Sequence, residues 1–245
     1  MTGTFRLIGL ELRRISLPLV TAFTTSFGSE NHRDILLLRV ELERENTIFE
    51  GWGECVAPND PTYSAEYVAA AEMVIEQHLF ARLAASERIA AAEVHRLLRA
   101  VKGHPMAKAS LEMAILDAEL RAEGTCLATH LHGNQPLTRD RIPAGVSVGI
   151  FADLDQLLAA VQGYVDDGYQ RIKLKIQPGW DIDPVREVRA LIGPELGLQV
   201  DANTAYTRHD AAHLRLLDEF DLLLIEQPLP EDDLLGHRDL AHAID

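Results

Sequence analysis

The strongest constraint on this chain is a repeat of apolar runs that each end on a charged residue. The stretch Gln170-Arg171-Ile172-Lys173-Leu174-Lys175-Ile176 alternates basic and apolar side chains. Side chains alternate faces along a strand, so Arg171, Lys173 and Lys175 share one face and Ile172, Leu174 and Ile176 the other. The run Leu196-Gly197-Leu198-Gln199-Val200 ends at Asp201, and Leu222-Leu223-Leu224-Ile225 ends at Glu226. Lys175 and Asp201 are 26 positions apart, and Asp201 and Glu226 are 25 apart. Such an interval holds one strand, one helix and two short loops. Three successive strands therefore carry a charge at the carboxyl end, where α/β barrels keep their active sites. Lysines are rarely buried without partners, and the two acids are the available partners.

From residue 140 onward the pattern alternates strand and helix. Strands are expected over 144–150, 170–176, 198–201 and 221–226. Helices are expected over 153–167, 183–191, 210–217 and 232–244, with Asp210 a candidate cap. Right-handed βα units of this short period fit a barrel better than an open sheet; a flavodoxin-like open sheet is the structural competitor. Four strands do not close an eight-stranded barrel, and an unclosed half exposes a strand edge. The expectation is a part of a larger protein, or a barrel completed by another chain.

The first 130 residues read differently. Strands are expected over 5–17, 35–43 and 49–55, joined as an antiparallel meander. Polar stretches at 20–31 and 57–63 read as loops. Residues 64–124 read as helical, with Ser64 as a candidate N-cap, a break at Gly103-His104-Pro105 and Gly124 as a C-cap. In the second part of that region, Ala109, Met113, Leu116 and Leu120 are expected on one face. Two domains follow: an α+β unit at 1–130, and the first half of a (β/α) barrel at 131–245.

With 245 residues, 47% of them hydrophobic, the chain buries a sizeable core. No apolar run reaches membrane-spanning length, and the N-terminus lacks the order of a signal peptide. Its two cysteines form no disulfide framework, which fits a reducing, cytoplasmic setting. A formal charge of −15 argues against a nucleic-acid partner, which favours a basic face. No membrane partner is expected either.

Asp201 and Glu226 are hard oxygen ligands suited to Mg²⁺ or Mn²⁺. A further acid is expected about one period beyond Glu226, past the last residue. A nearby cation and a second lysine both lower a lysine pKa, so Lys175 becomes a candidate general base. Metal plus lysine base implies abstraction of a proton α to a carboxylate, with the metal stabilising the enolate. Taken singly, a Lys-x-Lys in a strand is more often a solvated edge, and either acid a turn or cap residue. Their common period and strand-end placement carry the joint case. Asn203 either lines the site or starts the turn. Ser147 in the first barrel strand either faces the cavity or is structural.

Beyond spacing, Lys173-Leu174-Lys175, Val200-Asp201-Ala202-Asn203 and Ile225-Glu226-Gln227-Pro228-Leu229 resemble the base and metal motifs of the enolase superfamily, muconate-lactonising subgroup. Gly51-Trp52-Gly53-Glu54-Cys55, Tyr63-Ser64-Ala65-Glu66-Tyr67 and Gln177-Pro178-Gly179-Trp180-Asp181 extend the likeness toward the o-succinylbenzoate synthase / N-succinylamino acid racemase family. The resemblance implies an α+β capping domain whose loops close over a (β/α)₇β barrel, of which about the first four βα units are present. It implies Lys175 as the base, Lys173 as support for its pKa and for the substrate carboxylate, and Asp201 and Glu226 as the first two Mg²⁺ ligands. Phe23 and Tyr63, in the loops 23–28 and 58–63, become candidate substrate contacts.

The family pattern also needs a third acid and an opposing lysine on later strands, and neither lies in this chain. His130-Leu131-His132-Gly133-Asn134 departs from the family's usual sequence in a connecting segment. The implied activities are o-succinylbenzoate synthase dehydration in menaquinone biosynthesis and N-acylamino acid racemisation. Dipeptide epimerase or muconate cycloisomerase is the alternative within the superfamily. An inactive fragment or assembly module, lacking the third ligand and second lysine, is the alternative of another class. The implied substrate is a small carboxylate, and the complete protein is expected to be a homo-oligomer.

Overall fold

The structure is a computed structural model and describes residues 4–133, 135, 139 and 141–244. The chain divides into two compact units, one of Met1–Pro18 and His32–Asp140, the other of Leu19–Asn31 and Arg141–Asp245. Asn134, at the end of the segment that departs from the family sequence, lies outside the described residues.

Three strands, β1 (Arg6–Thr25), β2 (Gly28–Arg44) and β3 (Thr47–Cys55), lie in that order in one sheet. β2 and β3 pair antiparallel, from Leu36 opposite Cys55 to Arg44 opposite Thr47. Alternate residues Leu36, Leu38, Val40 and Leu42 are buried, the period-two signature of a half-buried sheet.

Residues 20–31 are not the long loop that their polarity suggests. They finish β1, turn at Ser26-Phe27 and start β2. Val20, Thr21, Phe23, Thr24 and Thr25 are β-branched or aromatic residues that favour strand. Most of this hairpin is exposed, so it lacks the apolar alternation that marks a strand in sequence.

The helical part of the first unit is more broken than its alanine content suggests. α1 (Val68–Val74) runs through a single π turn (Ile75–Leu79) into α2 (Phe80–Ala84); α3 (Ala91–Leu98), α4 (Pro105–Glu123) and α5 (Leu127–His132) follow. Ser64 does not cap α1, whose N-cap is Tyr67 without a side-chain bond. Instead its hydroxyl accepts the Glu66 N–H at 3.1 Å, holding a turn ahead of the helix. Gly124 does end α4, with φ +63° and its N–H on the Arg121 carbonyl.

The face of α4 expected from spacing is only half buried. Leu120 is buried and Leu116 packs on the core, but Ala109 and Met113 are exposed, and Ala107, Ser110, Leu111, Ala114, Ile115 and Ala118 form the buried face. Close packing on β3 selects small side chains here. A Cβ on Gly51 would lie 2.1 Å from the Ala114 carbonyl oxygen, and one on Gly53 2.1 Å from that of Ser110. Helix and strand meet almost backbone to backbone, which only glycine on one side and Ala or Ser on the other permit.

The second unit holds a parallel sheet in the order β4 (Gly145–Val148), β5 (Arg171–Lys175), β6 (Gly197–Asp201) and β7 (Ile225–Glu226). α6 (Leu154–Asp166) follows β4, and α7 (Ile182–Ile192) follows β5. β6 leads into α8 (Ala211–Leu214), flanked by 3₁₀ turns at Arg208–Asp210 and Arg215–Phe220; α9 (Leu234–Ala241) follows β7. Ile172, Leu174, Leu198 and Val200 pack with Leu157, Val161, Val185 and Val188 in one buried core. Lys173 and Lys175 thereby face away from the helices.

Helix starts in this unit are set by acids. Asp153 accepts the Gln156 N–H at 2.9 Å and Asp233 the Gly236 N–H at 2.9 Å. Asp210 stands at the N-cap position of α8, though its side chain makes no bond to that helix; it serves the preceding 3₁₀ turn instead. Thr207 is the cap of that turn, and Asp210 completes its capping box from three residues on. The last strand is shorter than 221–226. Asp221 has φ +48°, and its carbonyl accepts from Arg189 Nη2 at 2.9 Å; Leu223 N–H donates to the Leu198 carbonyl at 2.8 Å, but regular strand begins at Ile225. Among the described residues no helix is long and apolar enough to cross a membrane.

Gly51→Ala or Gly53→Ala should lower unfolding stability by about 1–3 kcal/mol or more, as overpacking does. Gly163→Ala, inside α6 with open space around its Cβ position, should raise it by about 0.5–1 kcal/mol. Urea unfolding of the three variants measures both, and equal effects would rule out the close α4–β3 approach as the cause.

Candidate active site

The parallel register puts the charges side by side. Ser147 pairs with Lys173, Lys173 with Gln199, Lys175 with Asp201, and Asp201 with Glu226. Each strand ends within a residue of the same level, so side chains 25 or 26 positions apart become neighbours.

Asp201 is the centre of the group. Its side chain is 1% exposed. Oδ2 lies 2.6 Å from Lys175 Nζ and 2.8 Å from Lys173 Nζ. Oδ1 accepts the Asn203 N–H at 2.9 Å. Lys173 Nζ also lies 2.8 Å from Glu226 Oε2, so one ammonium bridges both acids. Lys175 donates to Asn203 Oδ1 at 2.7 Å, and Asn203 Nδ2 donates to Gln227 Oε1 at 3.3 Å. The Phe23 ring centroid stands 5.8 Å from Lys175 Nζ, within cation–π range.

Ionisation follows from these contacts. Burial acts to raise the Asp201 carboxyl, but Lys173, Lys175 and the Asn203 amide together hold it below the usual carboxylate value. Burial acts to lower Lys173, but Asp201 and Glu226 outweigh it and hold the ammonium above the usual lysine value. As arranged, the cluster carries one lysine whose charge is reinforced by both acids.

The expected site residues are not all brought together. Lys173, Lys175, Asp201, Glu226, Asn203 and Phe23 converge. Ser147 is exposed on β4, one strand from Lys173. Tyr63 belongs to the first unit and is exposed in the segment after β3. Phe23 comes from strand β1, not from a loop.

Two glutamines join the group without having been singled out in the sequence. Gln199 is 3% exposed, its Nε2 lies 3.4 Å from Glu226 Oε2, and its Oε1 is buried without a partner. Its signal was position, two residues before Asp201 and hence on the same strand face. Gln227 accepts from Asn203, as above, with φ +44°. Asn203 at φ +43° and Thr204 at φ +65° are left-handed as well. Such backbone costs about 1–3 kcal/mol per non-glycine residue and collects at functional sites.

The donor set bears on a metal. Two hard carboxylates on paired strands converge on one positive group, here the Lys173 ammonium, which stands in for a cation between them. That chemistry fits a divalent cation held by Asp201 and Glu226. Among the described residues, no group of three or more His, Cys, Asp and Glu side chains could hold a metal ion. The pair would therefore offer such an ion two carboxylate ligands.

Residues 8–132 match the mandelate racemase / muconate lactonizing enzyme N-terminal domain, and residues 156–245 match the enolase C-terminal domain-like family. The chain belongs to the mandelate racemase / muconate lactonizing enzyme family of the enolase superfamily. An N-succinylamino acid racemase from Amycolatopsis is 54% identical over 98% of this chain and 63% of its own length. An o-succinylbenzoate synthase from Enterococcus faecalis is 42% identical over 96% of this chain and 62% of its own. A solved enolase-superfamily structure from Enterococcus faecalis has a TM-score of 0.86 at 39% identity, covering 99% of this chain and 64% of that one. The chain thus spans less than two thirds of the length of these relatives.

In buffer free of divalent ions, Lys173 should stay charged beyond the ordinary lysine value of 10.5. A raised lysine pKa contributes stability that is fully present below the unfolded value and is lost as pH rises through the folded one. Glu226→Gln should lower the Lys173 midpoint in a ¹⁵Nζ NMR titration. An unchanged midpoint would mean that Glu226 does not hold this ammonium.

Proposed function

We propose that the whole protein removes the proton α to a carboxylate on a small-molecule substrate, with Lys175 as the base. The observation that carries this reading is the convergence of two lysines and two acids at the carboxyl ends of paired parallel strands. The relatives named above support N-succinylamino acid racemisation, o-succinylbenzoate synthase dehydration, or both. Dipeptide epimerisation or muconate cycloisomerisation is the alternative within the superfamily.

Asp201 and Glu226 would hold Mg²⁺ or Mn²⁺. Such a cation supplies positive charge to the substrate carboxylate as negative charge builds up beside it. Lys175 takes the substrate's α-proton at Nζ, and for that it must reach the site as the neutral amine. Its two hydrogen-bond partners, Asp201 Oδ2 and Asn203 Oδ1, fix the direction of Nζ. Lys173 sits beside the same acids and offers an ammonium to the substrate carboxylate. Phe23 covers Lys175 on an apolar side and limits water there. Asn203, Ser147 and Tyr63 remain candidate substrate contacts. In this reading the second unit is the first half of a (β/α)₇β barrel and the first unit its capping domain. The parallel order β4-β5-β6-β7 and the likeness to the solved relative support that.

The complete protein is further proposed to be a cytoplasmic homo-oligomer without nucleic-acid or membrane partners. The two free thiols support a reducing compartment and the acidic balance the lack of a nucleic-acid partner, while the oligomeric state rests on the family resemblance.

The decisive experiment is exchange of the α-proton of N-succinylamino acids in D₂O by the whole protein with Mg²⁺. Lys175→Ala should slow exchange by roughly 10²-fold or more, the usual scale of a general base. Normal exchange in that variant would remove Lys175 from the role.

One observation favours a second reading, an assembly module without activity: the described residues bring together two acids and no third. Calorimetry of Mg²⁺ with the 245-residue chain separates the two readings. Weak binding, in the millimolar range or beyond, is expected if later strands supply the missing ligand. Tight binding by this chain alone would favour the assembly reading.

A further inference from the structure

In the loops that follow the strands of the second unit lies a second buried polar group, whose own side chains the proposed chemistry does not use. Asp181, immediately before α7, is 5% exposed. Its Oδ1 accepts the Ile182 N–H at 2.7 Å. Its Oδ2 accepts the Tyr206 hydroxyl at 2.8 Å and lies 2.8 Å from His213 Nε2. The Tyr206 ring is buried and stacks on His213 with centroids 6.4 Å apart. The Tyr206 N–H donates to the Pro228 carbonyl at 3.0 Å. One residue thus ties together the loops that follow β5, β6 and β7. Those loops follow Lys175, Asp201 and Glu226 respectively.

The loop after β6 is the one that needs holding. Asn203 and Thr204 are consecutive left-handed residues, and neither is glycine. A β-branched residue such as Thr204 is especially poorly suited to that region. Within the turn, Ala205 N–H donates to the Ala202 carbonyl at 3.1 Å; the other bonds come from outside it, Thr204 N–H to the Gln227 carbonyl at 2.7 Å, Asn203 N–H to Asp201 Oδ1 at 2.9 Å, and Ser26 Oγ to the Ala202 and Asn203 carbonyls at 2.9 and 3.3 Å. Relaxation of the turn would carry Asn203 Oδ1 away from Lys175 Nζ. Burial first, and then the Asp181 carboxylate, push the Tyr206 hydroxyl far above the usual phenol range. It is a permanent donor at any pH at which the protein works.

We propose that Tyr206, anchored on Asp181, is a positioning residue that holds the Asn203-Thr204 left-handed turn and so sets the Asn203 amide against Lys175 Nζ. The catalytic part of this role rests on the assignment of Lys175 as base. The geometric part does not. A tyrosine that merely fills the core would keep its ring packing without needing its hydroxyl, and the strain of the turn would be indifferent to it.

Tyr206→Phe in the whole protein deletes only the hydroxyl. Two quantities are read: amide hydrogen exchange at Thr204, and kcat and KM for α-proton exchange with Mg²⁺ and an N-succinylamino acid. Thr204 exchange should quicken by roughly tenfold or more, the size of one hydrogen bond to a charged acceptor. kcat should fall by roughly tenfold while KM changes by less than about twofold. Adding Thr204→Gly to Tyr206→Phe removes the left-handed penalty and should restore most of kcat. Parental kcat and parental Thr204 exchange in Tyr206→Phe would overturn the proposal, whatever the change in melting temperature. If Tyr206→Phe does not fold, Asp181→Asn weakens the same bond and is read by the same outcomes. Absence of α-proton exchange in the parent protein would sink the assignment of Lys175, and the Thr204 amide would still decide whether Tyr206 holds the turn.

Discussion

A carboxylate with 1% of its side chain exposed cannot stay ionised alone, and Asp201 is the point on which the second unit turns. Isolated buried charge costs several kcal/mol or more, and pairing offsets it only with good geometry and further hydrogen bonds. Asp201 has both: two lysine nitrogens on one oxygen and a backbone amide on the other. Each partner is delivered by a different local device. The lysines come from the alternation of β5, the amide from a left-handed turn after β6. Glu226 then shares one of the two nitrogens, so the group is a network rather than a pair. The same arrangement that satisfies the buried acid leaves an amine, two hard oxygen ligands and an amide facing one place.

The first unit solves its polar burial differently. Glu66 is buried and accepts the Met106 and Ala107 N–H groups at the start of α4, at 2.9 and 3.2 Å. Glu119 is buried within α4 and accepts the Ala91 N–H at the start of α3, at 2.7 Å. Both glutamates stand at helix N-termini, where free N–H groups and the helix dipole favour negative charge. These two helices therefore take their caps from distant residues. Local signals misplaced the start of α1 in the same unit, where Ser64 looked like the cap and instead stabilises a preceding turn.

The legibility of the site in sequence came from period and alternation. Lys173 and Lys175 share a face because strands alternate. Asp201 and Glu226 fall beside them because each βα unit has nearly the same length. Both rules are local or one-dimensional, so they survive without knowledge of packing. Gln199 obeyed the same alternation but carries no charge, and an amide in an apolar strand gives little signal by itself. Phe23 was reached by likeness to a family and assigned to a loop. It stands in a strand whose exposed faces hide the usual pattern. Tyr206 and Asp181 meet only because separate loops fold onto each other, and no spacing rule links them.

By itself, then, the sequence determined the alternating strand–helix grammar of the second half, the α+β character of the first, and the identity of the charged residues at the strand ends. Those follow from backbone geometry and side-chain period, which act over a few residues. Tertiary structure decided which face of α4 is buried, because two glycines in β3 bring the backbones together. It decided that one lysine bridges both acids, because parallel register sets their level. It also decided that a left-handed turn, held from three loops, presents Asn203 to Lys175, because the strain of such a turn is tolerated only where distant groups over-determine it.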